Sequence, residues 1–170
     1  MPEDPRRRYC PVCRRRLVSR ALGGHDRLAC PGPACGFVFW DNPVPVVAAI
    51  VERDTGEVVL ARNAGWPEGR FGLVTGFLEP AETPEQGVLR EVAEEINLAG
   101  GIRGFVGLYP FYRNNQLLLV YHVAVSGEPR PGEELAEIRS IRPERLRSWP
   151  FGTGPALRDW LLARGYRPPD

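Results

Sequence analysis

Two sets of side chains in this sequence stand at spacings that could do chemistry. Glu91, Glu94 and Glu95 sit at i, i+3 and i+4, the repeat that places side chains on one face of a helix. Carboxylate oxygens are hard ligands suited to Mg²⁺ or Mn²⁺, ions commonly shared with substrate phosphates. Like charges at this spacing repel, and Arg90 is the one adjacent cation on that face, so a bound divalent ion would offset them better. A merely solvated face would need no ion, since glutamate is a good helix former. The second set is Cys10, Cys13, Cys30 and Cys35, a C-x2-C and a C-x4-C with sixteen residues between them. Two such knuckles supply a closed tetrahedral thiolate site for Zn²⁺, structural because no position stays open for substrate. Two disulfides would also use four cysteines. However, the opening MPEDPRRRYC lacks the apolar core of a secretory signal, and intracellular thiols are kept reduced.

The elements that must position these groups can be read outward from the glutamates. Thr83 and Gln86 have capping-box spacing with Pro84 at the first helical position, and Asn97 tolerates the left-handed conformation that ends a helix. On the helix between them, Arg90, Glu91, Glu94 and Glu95 share one arc, and Val88, Leu89, Val92, Ala93 and Ile96 fill the opposite one. Upstream, residues 44–51 form an apolar run of strand length, Asp54-Thr55-Gly56 a turn, and 57–61 a second strand, together a hairpin. A short strand over 71–75 delivers the chain to Gly76. Downstream, strands are expected over 103–112, 117–125 and 137–141, with a turn at 113–115 and a final helix from Gly154-Pro155 through Leu157, Trp160 and Leu161. Strands dominate and helices follow the third strand and close the chain, so the fold class is α/β, an α/β/α sandwich on a mixed sheet and not a regular βαβ alternation. The cysteines define a small N-terminal zinc ribbon, residues 1–38, and residues 39–170 form the main domain, the two joined through FVFWDN and restrained by Pro43 and Pro45.

Composition excludes several classes. The 170 residues carry a net charge of +1, which argues against a globally basic nucleic-acid binder, although Arg6 to Arg8 and Arg14 to Arg16 crowd the N-terminus. All 22 basic residues are arginine, which removes lysine chemistry. No run is long enough to span a bilayer, so a soluble, cytoplasmic protein is expected.

Written out, residues 76–98 read Gly76, five residues, Glu82, seven residues, Arg90, Glu91, Val92, one residue, Glu94, Glu95, one residue, Asn97, Leu98. This resembles the Nudix box, G-x(5)-E-x(7)-R-E-U-x-E-E-x-G-U with U aliphatic, and Asn97 is the single departure. The resemblance covers roughly residues 40–165 and implies the Nudix fold and the hydrolysis of nucleoside diphosphates linked to another moiety. It implies that Glu91, Glu94 and Glu95 hold Mg²⁺ or Mn²⁺ with the Gly76 carbonyl, and that Glu82 and Arg90 brace each other. The general base is Glu91, Glu94 or a residue of a later loop. There, Glu133, Glu134 and Glu137 stand where relatives place a further metal-binding glutamate; Glu134 corresponds best, and all three equally suit a solvated loop.

The ribbon, GFLEPAET and a late E-L-x-E are similar to the zinc-containing NADH pyrophosphatase branch. That branch carries SQPWPFPxS after its box, where this chain reads GLYPFYRNNQLLL and keeps only Pro110-Phe111. FAD and ADP-ribose therefore stand beside NADH as substrates, and an NAD-capped RNA is the one nucleic acid to consider. Phe77, Tyr109, Phe111 and Tyr112 are aromatic candidates for stacking a base, Phe77 first among them because it adjoins Gly76. The same residues also suit a core or a dimer interface. A homodimer is expected from the resemblance and from Trp40, Trp66, Trp149 and Phe151, aromatics that a small domain buries with difficulty. The rival class is a Nudix domain without catalysis whose arginine-rich ribbon contacts nucleic acid; intact box glutamates argue against it.

Overall fold

The computed structural model describes residues 8–167. The chain forms two units, one ending at Asn42 and one beginning at Pro43. Arg6 and Arg7, part of the N-terminal arginine cluster, lie outside the described residues.

In the first unit β1 (Val18–Leu22), β2 (His25–Ala29) and β3 (Val38–Phe39) form an antiparallel sheet in that order, which the cysteine spacing did not reveal. Leu22 pairs with His25 across Gly23-Gly24, whose φ values of 58° and 79° supply the left-handed pair that a two-residue hairpin requires. Its small core is Leu17 with the buried Cys10 and Cys30.

The second unit is built around β4 (Val44–Arg53), buried along most of its length. Val46, Ala48 and Ile50 face one core, and Val47, Ala49 and Val51 the other. A strand covered on both faces reads as one continuous apolar run, which is why residues 44–51 show no alternation. β5 (Val58–Asn63) meets β4 only at Val51 and Glu52, so the expected hairpin exists at its turn and then splays. Into the opening comes β6 (Val74–Phe77), antiparallel to the first half of β4. Gly76 thus lies inside a strand, opposite Val47, and not in a loop after one. The expected strand start at Phe71 survives only as a Gly72–Ala61 bridge.

On its other side β4 runs parallel to β8 (Gln116–Val125), which pairs antiparallel with β7 (Gly100–Phe111); β9 (Leu135–Ile141) closes the far edge against β5. The order β7-β8-β4-β5-β9 with one parallel pair is the mixed sheet expected. Helix α1 (Pro84–Ile96) covers one face through Val88, Val92 and Ile96, and α2 (Gly154–Ala163) covers the other through Leu157, Trp160 and Leu161. No helix among the described residues is long and apolar enough to cross a membrane.

Candidate active site

The local rules that start and stop α1 also aim its acids. Thr83 Oγ1 accepts from the Gln86 backbone N–H at 3.3 Å, and Gln86 Oε1 accepts from the Thr83 N–H at 2.8 Å. Asn97 ends the helix with φ 56°, the left-handed value. With these ends set, Val88, Val92 and Ile96 point into the core while Glu91, Glu94 and Glu95 point away from it. Ala93 departs from the expected apolar arc: it lies at the edge of that arc and is exposed.

Arg90 organises the acidic face. Its guanidinium forms a two-pronged pair with Glu82, Nη2 to Oε1 at 2.8 Å and Nε to Oε2 at 3.1 Å, and Nη1 reaches Glu91 at 2.7 Å and Glu94 at 3.1 Å. A fifth bond runs from Nη2 to the Phe77 carbonyl at 3.1 Å, tying the end of β6 to the helix. Glu82 is held in turn by the Glu79 backbone N–H at 2.7 Å, and its carboxyl is kept below the usual range, first by Arg90 and then by that N–H. The planar fork of arginine suits such shared carboxylate recognition.

Gly76 leaves room for the Glu91 carboxyl. A Cβ there would stand 1.8 Å from the Glu91 carboxyl carbon, so the acid occupies the space that any side chain would take. Pressed against the sheet, Glu91 has its pKa raised by burial, against the pull of Arg90. Glu95 is pushed up to about 8, first by burial and then by the charges of Glu91 and Glu134, while the Thr75 backbone N–H opposes the rise. A cluster of acids with one arginine carries an excess of negative charge that a divalent cation would relieve, and hard oxygen donors fit Mg²⁺ or Mn²⁺.

Glu134 comes from the loop before β9. That loop caps the C-terminal end of α1: Arg130 and Gly132 donate their N–H groups to Ile96 and Glu95 carbonyls at 3.0 and 2.8 Å, and the Asn97 amide donates to the Arg130 carbonyl at 3.0 Å. A Cβ on Gly132 would sit 2.1 Å from the Glu94 carbonyl oxygen, so only glycine lets the loop approach this closely. Of the three late acids, Glu134 acts on Glu91 and Glu95, whereas Glu137 is paired with Arg62 at 3.3 Å and Arg139 at 2.8 Å. Glu133 is exposed.

Next to Thr75, Gly76 and Phe77 opens a cavity of about 840 Å³. Phe77, 60% exposed, and Phe111 line it. Tyr109 does not; its hydroxyl donates to Asp159 on α2 at 2.8 Å. Tyr112 is 87% exposed and is also absent from the lining. Trp66, Trp149 and Phe151, which the sequence suggested as dimer-interface aromatics, line this cavity together with Arg70, Arg145 and Arg147. The sequence signal was the aromatic and arginine-bearing segment WPEGRFG just upstream of the box, but the segment carrying Trp149 lies too far along the chain for spacing to join it.

In the first unit the four cysteine sulfurs lie within 4.8 Å of one another, with Cys10 to Cys35 at 3.6 Å and Cys13 to Cys30 at 3.3 Å, and all four are free thiols. Four thiolates at the usual Zn–S length sit about 3.8 Å apart at the corners of a tetrahedron, so the donor set and spacing fit Zn²⁺. The Arg15 backbone N–H, followed by the Cys30 thiol, lowers Cys13 to about 7, whereas, against the pull of the Gly32 N–H, burial and the neighbouring thiols push Cys30 up to about 12, so the crowded thiols do not all ionise without a cation among them.

The family model described as NUDIX domain matches residues 42–161. The chain is 32% identical over 132 residues to the NAD-capped RNA hydrolase NudC of Pseudomonas aeruginosa, covering 76% of this chain and 45% of that protein. It is 29% identical to the protein of the same name from Stutzerimonas stutzeri, covering 84% and 51%. The chain spans about half the length of these relatives. Among solved structures, a NUDIX hydrolase from Nitrosomonas europaea superposes with a TM-score of 0.69 at 29% identity, covering 79% of this chain and 77% of that one. The matched residues contain α1, the whole mixed sheet and most of α2, and they include Glu82, Arg90 and the three helix glutamates. This chain belongs to the Nudix family.

Proposed function

We propose that the chain is a pyrophosphohydrolase dependent on Mg²⁺ or Mn²⁺ that cleaves the diphosphate of a nucleoside diphosphate linked to another moiety, of the NADH, ADP-ribose or FAD type. One observation carries the reading: Glu91, Glu94, Glu95 and Glu134 gather with a single arginine among them, beside a cavity of nucleotide size whose wall includes Gly76 and Phe77. The relatives' name, which specifies an NAD-capped RNA, supports the substrate class.

On this reading Glu91, Glu94 and Glu95 hold the ions, with the Gly76 carbonyl and Glu134 as further oxygen donors. Bound cations would neutralise the phosphate oxygens and lower the pKa of the attacking water. The chain's own groups do the rest. Arg90 and Glu82 fix Glu91 and Glu94 in register with the end of β6, so the ligand oxygens do not wander as charge builds up. Glu91, Glu94 or Glu134 accepts the proton of the attacking water at a carboxylate oxygen. Phe77, exposed and next to Gly76, stacks the base, with Phe111 in the same cavity.

Structural Zn²⁺ on the four cysteines holds the first unit together, in the reducing setting of the cytoplasm. The working form is a homodimer, a proposal that light scattering tests against the 19.0 kDa chain mass. The deciding experiment is a hydrolysis panel of NADH, NAD, ADP-ribose, FAD, diadenosine polyphosphates and NAD-capped RNA with Mg²⁺ and with Mn²⁺. Release of AMP from at least one of the free nucleotides, or of NMN from the capped RNA with a 5′-phosphorylated RNA left behind, supports the reading. No turnover with any of them, together with salt-dependent retention on nucleic acid, replaces it with the binding-module alternative.

A further inference from the structure

We propose that Arg70, with Arg145 and Arg147, makes the cavity a site for a nucleotide that carries a phosphate on its ribose in addition to the scissile diphosphate. This deepens the reading above and rests on it for the reaction, though not for the binding.

The charge of the lining is the first argument. The chain holds 21 acidic and 22 basic residues, yet the cavity is lined by three arginines and no acid. In the same unit, among the described residues, Arg53, Arg62, Arg90, Arg139 and Arg164 are each matched to a carboxylate, and Arg103, Arg113, Arg130, Arg142 and Arg158 are not, so it is the gathering of three arginines at one cavity that sets the lining apart. Arg70, Arg145 and Arg147 pair with no carboxylate among the described residues.

The second argument is how Arg70 is held. Its guanidinium lies over the Trp66 ring, 5.3 Å from the centroid, and over the Phe151 ring at 5.4 Å. Two ring faces hold the cation at the cavity without consuming its N–H donors in an ion pair, since no carboxylate among the described residues pairs with it. Two parallel N–H groups match the oxygens of a phosphate.

The third is division of labour. The diphosphate proposed for the glutamate face has its charge met by cations there, and unpaired arginines would repel those same cations. Three arginines lining an aromatic cavity of about 840 Å³ therefore suit a different anionic group on the same ligand. Two sources share this chemistry: the first internucleotide phosphate of an RNA whose 5′ end carries the diphosphate, and the ribose phosphate of a coenzyme-like dinucleotide.

Trp66 and Trp149 line the cavity, so intrinsic fluorescence reports its occupancy. The full-length protein, in EDTA so that nothing is cleaved, is titrated with adenosine, AMP, adenosine 2′,5′-bisphosphate, adenosine 3′,5′-bisphosphate and the dinucleotide pApA. The bisphosphates should bind about tenfold more tightly than AMP, the gain of one charge-assisted contact. Arg70→Ala should abolish most of that gain while changing AMP affinity less, and Arg70→Lys should restore part of it. The slope of log K against log salt should become shallower by about one in Arg70→Ala. Preference for pApA and the 3′ phosphate points to RNA; preference for the 2′ phosphate points to a coenzyme. Equal affinity for AMP and both bisphosphates, or an equal loss for all of them in Arg70→Ala, overturns the proposal. If the hydrolysis panel fails while the bisphosphate preference holds, the reaction falls and the anion site stands.

Discussion

The two clusters of ligand-type side chains differ in every respect that matters for a metal. The cysteines of the first unit are four soft donors within 4.8 Å of one another, a number that fills a tetrahedral ion and leaves nothing for a substrate. The acids of α1 are hard donors next to a cavity, and burial, followed by the charges of Glu91 and Glu134, pushes Glu95 up to about 8. A closed soft site is suited to holding a fold together. An open hard site with surplus charge is suited to sharing its ion with phosphate oxygens.

The comparison is broken most directly at the acid face. Glu95→Gln or Glu94→Gln removes ligand charge and keeps shape, so kcat in Mg²⁺ should fall about 10²-fold or more, by analogy with the loss of other charge-stabilising groups. In EDTA the melting temperature of Glu95→Gln should equal or exceed that of wild type, because a buried, repelled carboxylate has been removed. Near-normal kcat in both variants would show that these acids are only a solvated helix face.

Gly76→Ala comes next. Its Cβ would fall 1.8 Å from the Glu91 carboxyl carbon, so Glu91 or β6 must move by an ångström or more. Displacement of that size at a positioned group costs about 10²-fold in rate. The accompanying measurement is kcat against Mg²⁺ concentration, expected to need more metal for half-maximal rate. An unchanged metal requirement would separate Gly76 from the ion site.

At the cysteine cluster the expected loss is of structure. Cys10→Ser should release Zn²⁺ and unfold the first unit, read by metal analysis and by proteolysis within that unit, because the free energy of metal binding is there folding free energy. Purified wild-type protein that holds no zinc would remove the contrast altogether.

The smallest effect lies outside both sites and serves as a reference for them. His122 is buried, with Nε2 2.7 Å from Glu52 and the Arg164 guanidinium near its other nitrogen. Burial, followed by the Arg164 charge, lowers its pKa, and the Glu52 contact only partly opposes this. The unfolded chain therefore binds this proton first. The contribution of His122 to stability should be full above pH about 6.5 and be lost as pH falls from there toward the folded pKa. Thermal melts of wild type and His122→Gln should diverge at pH 7.5 and converge as pH falls; a difference independent of pH would refute the assignment.

Much of this protein is written in short-range rules. The start of α1 at Thr83 and its end at Asn97 follow from cap chemistry within a few residues, and the arc of glutamates follows from the helical period once those ends are set. The four thiols come together from two knuckles and a hairpin, so their grouping is visible in spacing alone. The apolar run of β4 announced a strand buried on both faces. None of these depends on where distant segments fall.

What only the tertiary structure decided is whatever two distant segments must make together. Placement of β6 on the free half of β4 put Gly76 inside a strand, because the early splay of β5 left that hydrogen-bonding edge open. Glu134 reached the acids of α1 because the Gly132 loop caps the helix end, a contact set by the missing side chain of a residue far along the chain. Trp66, Arg70 and Phe151 share one cavity because packing closes the loop after β5 against the segment before α2. Side-chain spacing is a property of one segment, whereas a cavity is the space left between several, so its residues carry no common period in the sequence.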